Sequence, residues 1–156
     1  MNRGFSTSRL AAGLQTGMAG GLLMLAWLAL ATFWSKHSIW WFPNLMATTF
    51  GGDAALQGKF GKYSPAGLAL HLLQYSLLGA LFARITPERA SYLRLLLTGV
   101  VFSVAYFLLM YGVVWKQINP LIPLYSPDHQ ILVAHVFFGF MLARLRNYLP
   151  ASAPAI

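Results

Sequence analysis

The residues in this chain that could do chemistry are few. There are four histidines (His37, His71, His129 and His135), three acids (Asp53, Glu88 and Asp128) and no cysteine in 156 residues. The absence of cysteine excludes disulfides, thiolate metal sites and thiol nucleophiles. His71 and His135 lie inside long apolar runs, where an ionisable side chain is costly and is a functional candidate by default. One reading makes them a bis-imidazole site that ligates a haem iron or a similar cofactor from facing helices. A related reading has a metal ion held by His71 and His135, with His129 as third ligand. The structural alternative hydrogen-bonds each imidazole to a backbone carbonyl, to Tyr75 or to a serine. Ser126, Asp128 and His129 are the residue types of a hydrolytic triad but sit too close in sequence to adopt its geometry easily. No G-x-S-x-G, H-E-x-x-H or phosphate loop occurs, so the leading reading is non-enzymatic. Glu88 lies near Arg84 and Arg89 in a short turn and reads as a local ion pair worth little at an exposed site.

Whatever these histidines do depends on the elements that carry them. The chain is 58% hydrophobic and only 9% charged, against about a quarter charged in soluble domains. Its four charge-free stretches are 10–35, 63–83, 95–115 and 129–143. They predict spans near 10–34, 64–84, 94–115 and 128–147 in one transmembrane domain over 1–156. The fourth stretch is short and reaches span length if Arg144 and Arg146 snorkel and extend it toward Leu149. The expected fold class is therefore all-α, an integral membrane four-helix bundle.

Charge placement gives an orientation. Arg3, Arg9, Arg84, Arg89, Arg94, Arg144 and Arg146 flank one side of a four-span chain, and Lys36, Lys59, Lys62 and Lys116 flank the other. The richer side is expected to be cytoplasmic, with both termini inside. Trp34, Trp40, Trp41, Trp115, Tyr63 and Tyr125 then form an aromatic belt at the outer face. A net charge of +8 invites a nucleic-acid reading, but the basic residues cap apolar runs and make no stripe that a phosphate backbone could follow. The partners expected are the lipid bilayer and either other membrane subunits or further copies of the chain. The first run also has the parts of a signal peptide, with Ala29-Leu30-Ala31 as a cleavage-like site, although it is longer than a usual h-region.

Small residues predict where helices touch. Gly13, Gly17 and Gly21 make two overlapping G-x-x-x-G steps in the first span. Gly79 and Ala83 in the second match Gly139 and Ala143 in the fourth, each pair on one helix face. Continuing those faces reaches Tyr75 and His71 in one helix, and His135 and Ile131 in the other. The outer loop 36–62 contains Pro43 and the Gly51-Gly52 pair, which predict an interfacial or re-entrant segment and not another span.

The halves repeat in order. Thr16-Gly17 corresponds to Thr98-Gly99, Tyr63-Ser64-Pro65 to Tyr125-Ser126-Pro127, and Phe82-Ala83-Arg84 to Leu142-Ala143-Arg144. This predicts a tandem duplication of two parallel helical hairpins, related by an axis along the membrane normal. The layout resembles small uncharacterised bacterial inner-membrane proteins with four helices and a histidine in the last span, on the strength of Ala134-His135-Val136 and the Arg144–Arg146 ending. That resemblance covers architecture only and implies a bacterial inner-membrane location. Two functions follow from the whole. One is a small non-enzymatic subunit of a larger membrane complex, holding a haem-like cofactor or metal at its outer-side histidines. The other is a small oligomeric transporter or channel, in which those histidines carry protons because no acid lies inside a span.

Overall fold

A computed structural model describes residues 7–35, 37–87 and 90–148. Arg3, Lys36, Glu88 with its ion pair, Arg89 and Leu149 lie outside the described residues. Every regular element among those described is helical: α1 (Thr7–Trp34), α2 (Trp41–Gly51), α3 (Ser64–Ile85), α4 (Tyr92–Leu109), α5 (Trp115–Ile118), α6 (Leu121–Tyr125) and α7 (Asp128–Leu142). Among the described residues three helices are long and apolar enough to cross a membrane: α1, α3 and the continuous stretch Tyr92–Ile118.

α1 lies centrally and packs against both α3 and α7, while α7 also packs against α4. The contacts run in opposite chain directions. Gly13 faces Ala80 and Ala83, whereas Gly21 faces Tyr75 and Leu72. Gly20 meets Phe138, and Trp27 Nε1 donates to the Gln130 carbonyl at 3.0 Å. α1 is therefore antiparallel to α3 and α7, and Gly99 against Gly139 with Ser103 against His135 makes α4 antiparallel to α7. The arginine-flanked helix ends gather at one end. There Arg9 donates to the carbonyls of Ala83 (2.7 Å) and Thr86, satisfying acceptors left open at the end of α3.

Glycines allow the closest approaches. A Cβ on Gly17 would stand 2.9 Å from Ser76 Cα and 3.0 Å from Gly79 Cα. A Cβ on Gly139 would stand 2.6 Å from Val100 Cα, and one on Gly99 2.7 Å from the Gly139 carbonyl oxygen. Only backbones without side chains fit at these crossings.

Segment 36–62 is less of a surface loop than its composition suggests. Within it α2 buries seven successive residues, Phe42 to Thr48. Pro43 is tolerated because it lies in the first turn, where no intrahelical donor is needed. Gly67 of α3 lets the Pro43 carbonyl approach it. Asn44 then fastens the return strand of the loop. Its amide donates to the carbonyls of Gln57 (2.5 Å) and Lys59 (2.9 Å), and its oxygen accepts from Ser64 Oγ at 2.5 Å. The helix stops at Gly52, whose φ of +53° suits glycine.

The third long helix has an internal change of pitch. Met110–Val114 is a π turn between α4 and α5. Phe107, Tyr111 and Trp115 are all buried along it, so Trp115 turns inward and does not join the exposed Trp34 in a lipid-facing belt. Beyond α7, residues 143–148 are a 3-10 extension (Ala143–Tyr148) and not more α-helix.

Candidate functional site

The polar centre of the bundle is built around Tyr75. His71 and Tyr75 are one turn apart on α3, and both are buried. Gly21 has no side chain to hold α3 off, so the His71 ring reaches the α1 backbone, and His71 Nε2 donates to the Gly21 carbonyl at 3.0 Å. On α7, His135 is 1% exposed, and its Nδ1 donates back along the helix to the Ile131 carbonyl at 2.8 Å. A carbonyl can only accept, which assigns that proton to Nδ1. His135 Nε2 then accepts from the Tyr75 hydroxyl at 3.0 Å. The Tyr75 ring packs on both imidazoles, with centroids 4.6 Å from His71 and 5.7 Å from His135.

α4 closes the other side. Ser103 Oγ donates to the His135 carbonyl at 2.6 Å, and Phe107 stands with its ring 5.4 Å from the imidazole. Beside them Gln74 Nε2 donates to the Tyr106 hydroxyl at 2.7 Å, bridging α3 to α4. One acceptor is left over. His71 Nδ1 is buried and has no hydrogen-bond partner.

The four histidines thus divide. His71 and His135 come together through Tyr75. His129 is exposed at the start of α7, and His37 stacks on Trp41 with ring centroids 4.7 Å apart. Among the described residues no three of His, Cys, Asp or Glu gather as a metal site, so His129 does not join the other two. Bis-imidazole ligation would require His135 to release Tyr75 or Ile131, because both its ring nitrogens are engaged. Asp128 is also exposed, and Ser126 is buried without a hydrogen bond to either neighbour, so these three residues form no triad.

Of the packing residues, Gly13, Gly17 and Gly79 lie in the α1–α3 crossing, with Ala83 beside Gly13. Gly21 lies over Tyr75, Gly139 lies in the α4–α7 crossing, and Ala143 is buried at the end of α7. Sequence reasoning missed Ser103, Gln74, Tyr106 and the pair Asn44 and Asn119. Each is a polar letter in an apolar or aromatic setting, which is the signal that could have flagged it. Asn119 donates to Thr48 Oγ1 (2.7 Å) and Thr49 Oγ1 (3.0 Å), joining the α5–α6 corner to α2. Comparison of the chain with protein families, with characterised proteins and with solved structures gave no match.

Proposed function

We propose that this chain is a four-crossing, multi-pass protein of a bacterial inner membrane, with both termini cytoplasmic, acting as a non-enzymatic packing subunit of a larger membrane assembly. The fourth crossing is α7 with its 3-10 extension, 15 and 6 residues long. At standard rises these reach about 34 Å, enough for a hydrocarbon core of about 30 Å. Orientation follows the arginine-rich end.

The tandem duplication is part of the same reading. Gly17 and Gly99 are equivalent in the two halves, as are Gly79 and Gly139. Gly17 meets Gly79, and Gly99 meets Gly139. Tyr75 and His135 are also equivalent, and they hydrogen-bond to each other.

One observation carries the packing role: both nitrogens of His135 and the Nε2 of His71 end on protein groups, while the third long helix stays largely uncovered. The His71 and His135 side chains end on backbone carbonyls and on Tyr75, which disfavours a solute path through them. Leu93, Leu97, Val101, Leu108 and Val113 leave an apolar surface outside, suited to lipid or to neighbouring transmembrane helices. The test is twofold. Because the chain lacks cysteine, Lys59→Cys and Arg146→Cys can be labelled singly with a membrane-impermeant maleimide on intact cells. Labelling at 59 but not 146 is expected, and labelling of both would remove the fourth crossing. Mild-detergent extraction from native membranes should recover the chain with other subunits; recovery as a lone monomer would overturn the packing role.

A second reading is favoured by the unpartnered Nδ1 of His71, an imidazole lone pair of the kind that ligates a metal ion or haem iron. Visible absorbance and bound metal in the purified protein, lost in His71→Ala, would support it.

A further inference from the structure

We infer that the groove beside the π turn of the third long helix holds a zwitterionic phospholipid, its phosphate on Lys116 and its ammonium on Asp128. The groove measures about 270 Å³ and runs between that helix and the α6–α7 corner, where Pro123 and Asp128 face it. Its shape comes from the π turn Met110–Val114, a local widening of the helix that is frequent at functional sites. Phe107 and Tyr111, both buried and with ring centroids 5.2 Å apart, form the inner wall. Gly112 lies beside them with no side chain, and a Cβ there would meet nothing within 4 Å. The groove is therefore open at the level where a side chain would otherwise stand in it.

Charge defines one end. Lys116 of α5 and Asp128, the first residue of α7, both line the groove and both are exposed. They are the charged residues among those described that line it. Among the described residues no ion pair joins them or ties either to another group. A ligand of one sign would meet a like charge together with the opposite one. A ligand that carries an ammonium a short distance from a phosphate meets an opposite charge at each end, through charge-assisted hydrogen bonds.

Depth supplies the other half of the ligand. Lys116 and Asp128 lie where two apolar stretches end, which is head-group level in a bilayer. Phe107 stands nine positions before Lys116 on the same helix, or about 13 Å deeper, well inside a hydrocarbon core of about 30 Å. Leu108 lines the groove and is exposed, and Val101 and Leu97 continue its apolar face away from the charged end. The groove is thus zwitterionic at its mouth and apolar at its foot. A phospholipid head and the start of its acyl chain match both parts, whereas a water-soluble zwitterion would use the mouth alone. The site rests on the membrane reading above and not on the packing role.

The experiment uses the full purified chain, stripped of lipid in mild detergent, with adducts counted by native mass spectrometry. Its probes are dioleoyl phosphatidylethanolamine, dioleoyl phosphatidylglycerol and free O-phosphoethanolamine. One phosphatidylethanolamine per chain should bind saturably, about tenfold tighter than the anionic lipid. Lys116→Gln and Asp128→Asn should each weaken it about tenfold. Asp128→Asn should also erase the preference over phosphatidylglycerol, a change that general loss of fold would not produce. Gly112→Leu, which fills the groove from its open side, should remove the adduct, and Gly58→Ala on an open surface loop should leave it unchanged. Equal affinity for the two lipids, adducts that climb without saturating, or wild-type binding in all three groove variants would overturn the site. Free O-phosphoethanolamine bound as tightly as the lipid would overturn the lipid as its occupant. Extraction into buffer without detergent would sink the membrane reading, whereas a chain that needs detergent and fails these titrations would overturn the site alone.

Discussion

Replacing Gly17 by alanine adds one methyl group at the point where α1 and α3 are closest. The added carbon would meet the Tyr75 carbonyl oxygen most closely, and would lie 2.9 Å from Ser76 Cα and 3.0 Å from Gly79 Cα. Carbon atoms prefer about 3.5–4.0 Å, so the two carbon contacts alone require the helices to part by about 0.5–1 Å. None of these neighbours can give way as a side chain could, because all three are backbone. A gap of that size forfeits about a quarter to a half of each contact's attraction along the seam. In lipid such contacts are the main force holding helices together, since no hydrophobic effect acts between them. Overpacking of this kind costs about 1–3 kcal/mol, or roughly one tenfold change in the folded ratio for each 1.4 kcal/mol. Alanine is also the better helix former by about 0.8–1.0 kcal/mol, so the net loss should fall to about 0–2 kcal/mol. Gly99→Ala, at the equivalent crossing with 2.7 Å to the Gly139 oxygen, should behave alike. The assay is reversible unfolding in mixed micelles, with Gly58→Ala as the reference because nothing lies within 4 Å of its added carbon. If Gly17→Ala and Gly99→Ala both stabilise the fold by the full helix-propensity gain, the backbone crossings do not exist as described.

Three further outcomes are expected. A double-mutant cycle between Tyr75→Phe and His135→Leu should give a coupling of about 0.6–1.7 kcal/mol, the range for hydrogen bonds between membrane helices; no coupling would mean that the two side chains do not pair. Arg9→Gln should cost about 1.5–3 kcal/mol, because its guanidinium donates to two carbonyls at the end of α3, and Arg9→Lys should recover only part of this in the same unfolding assay. Asn119→Leu should speed amide hydrogen exchange at 48–52, where α2 loses its tie to the α5–α6 corner, and exchange unchanged from wild type there would refute the tie.

Much of the frame was legible because a membrane span announces itself by length and absence of charge. Arg9 lies in the first turn of α1, Arg84 in the last turn of α3 and Lys62 just before α3, so the interruptions of the apolar runs fall within a turn of these helix ends. The glycine spacing of α1 likewise marks a face on which backbones can meet. What it meets was legible only in part, since Gly79 shows itself through its match to Gly139 and not through any signal of contact. The candidate site was harder. Spacing puts His71 and His135 on inward faces, but only three-dimensional placement brings Tyr75 against both rings and occupies both nitrogens of His135. The depth of α2 was hidden for a different reason. Its Pro43, Asn44 and closing glycines look like a loop until Asn44 is seen to take over the hydrogen bonds of a neighbouring segment. The π turn at Met110–Val114 leaves no mark in composition, because it is selected by packing of Phe107, Tyr111 and Trp115.

The tie between Asn119 and α2 also sets a schedule. Thr48 and Thr49 emerge from the ribosome some 70 residues ahead of the side chain that will bind them. At about 5–20 residues per second that is roughly 4–14 s of synthesis. During this interval the short helix is tied to its own half through Asn44, while the hydroxyls of both threonines await a donor. The last tie on α2 is thus deferred until the later half arrives, so a ribosome stalled before residue 119 would leave a nascent chain in which Thr48 and Thr49 lack that partner.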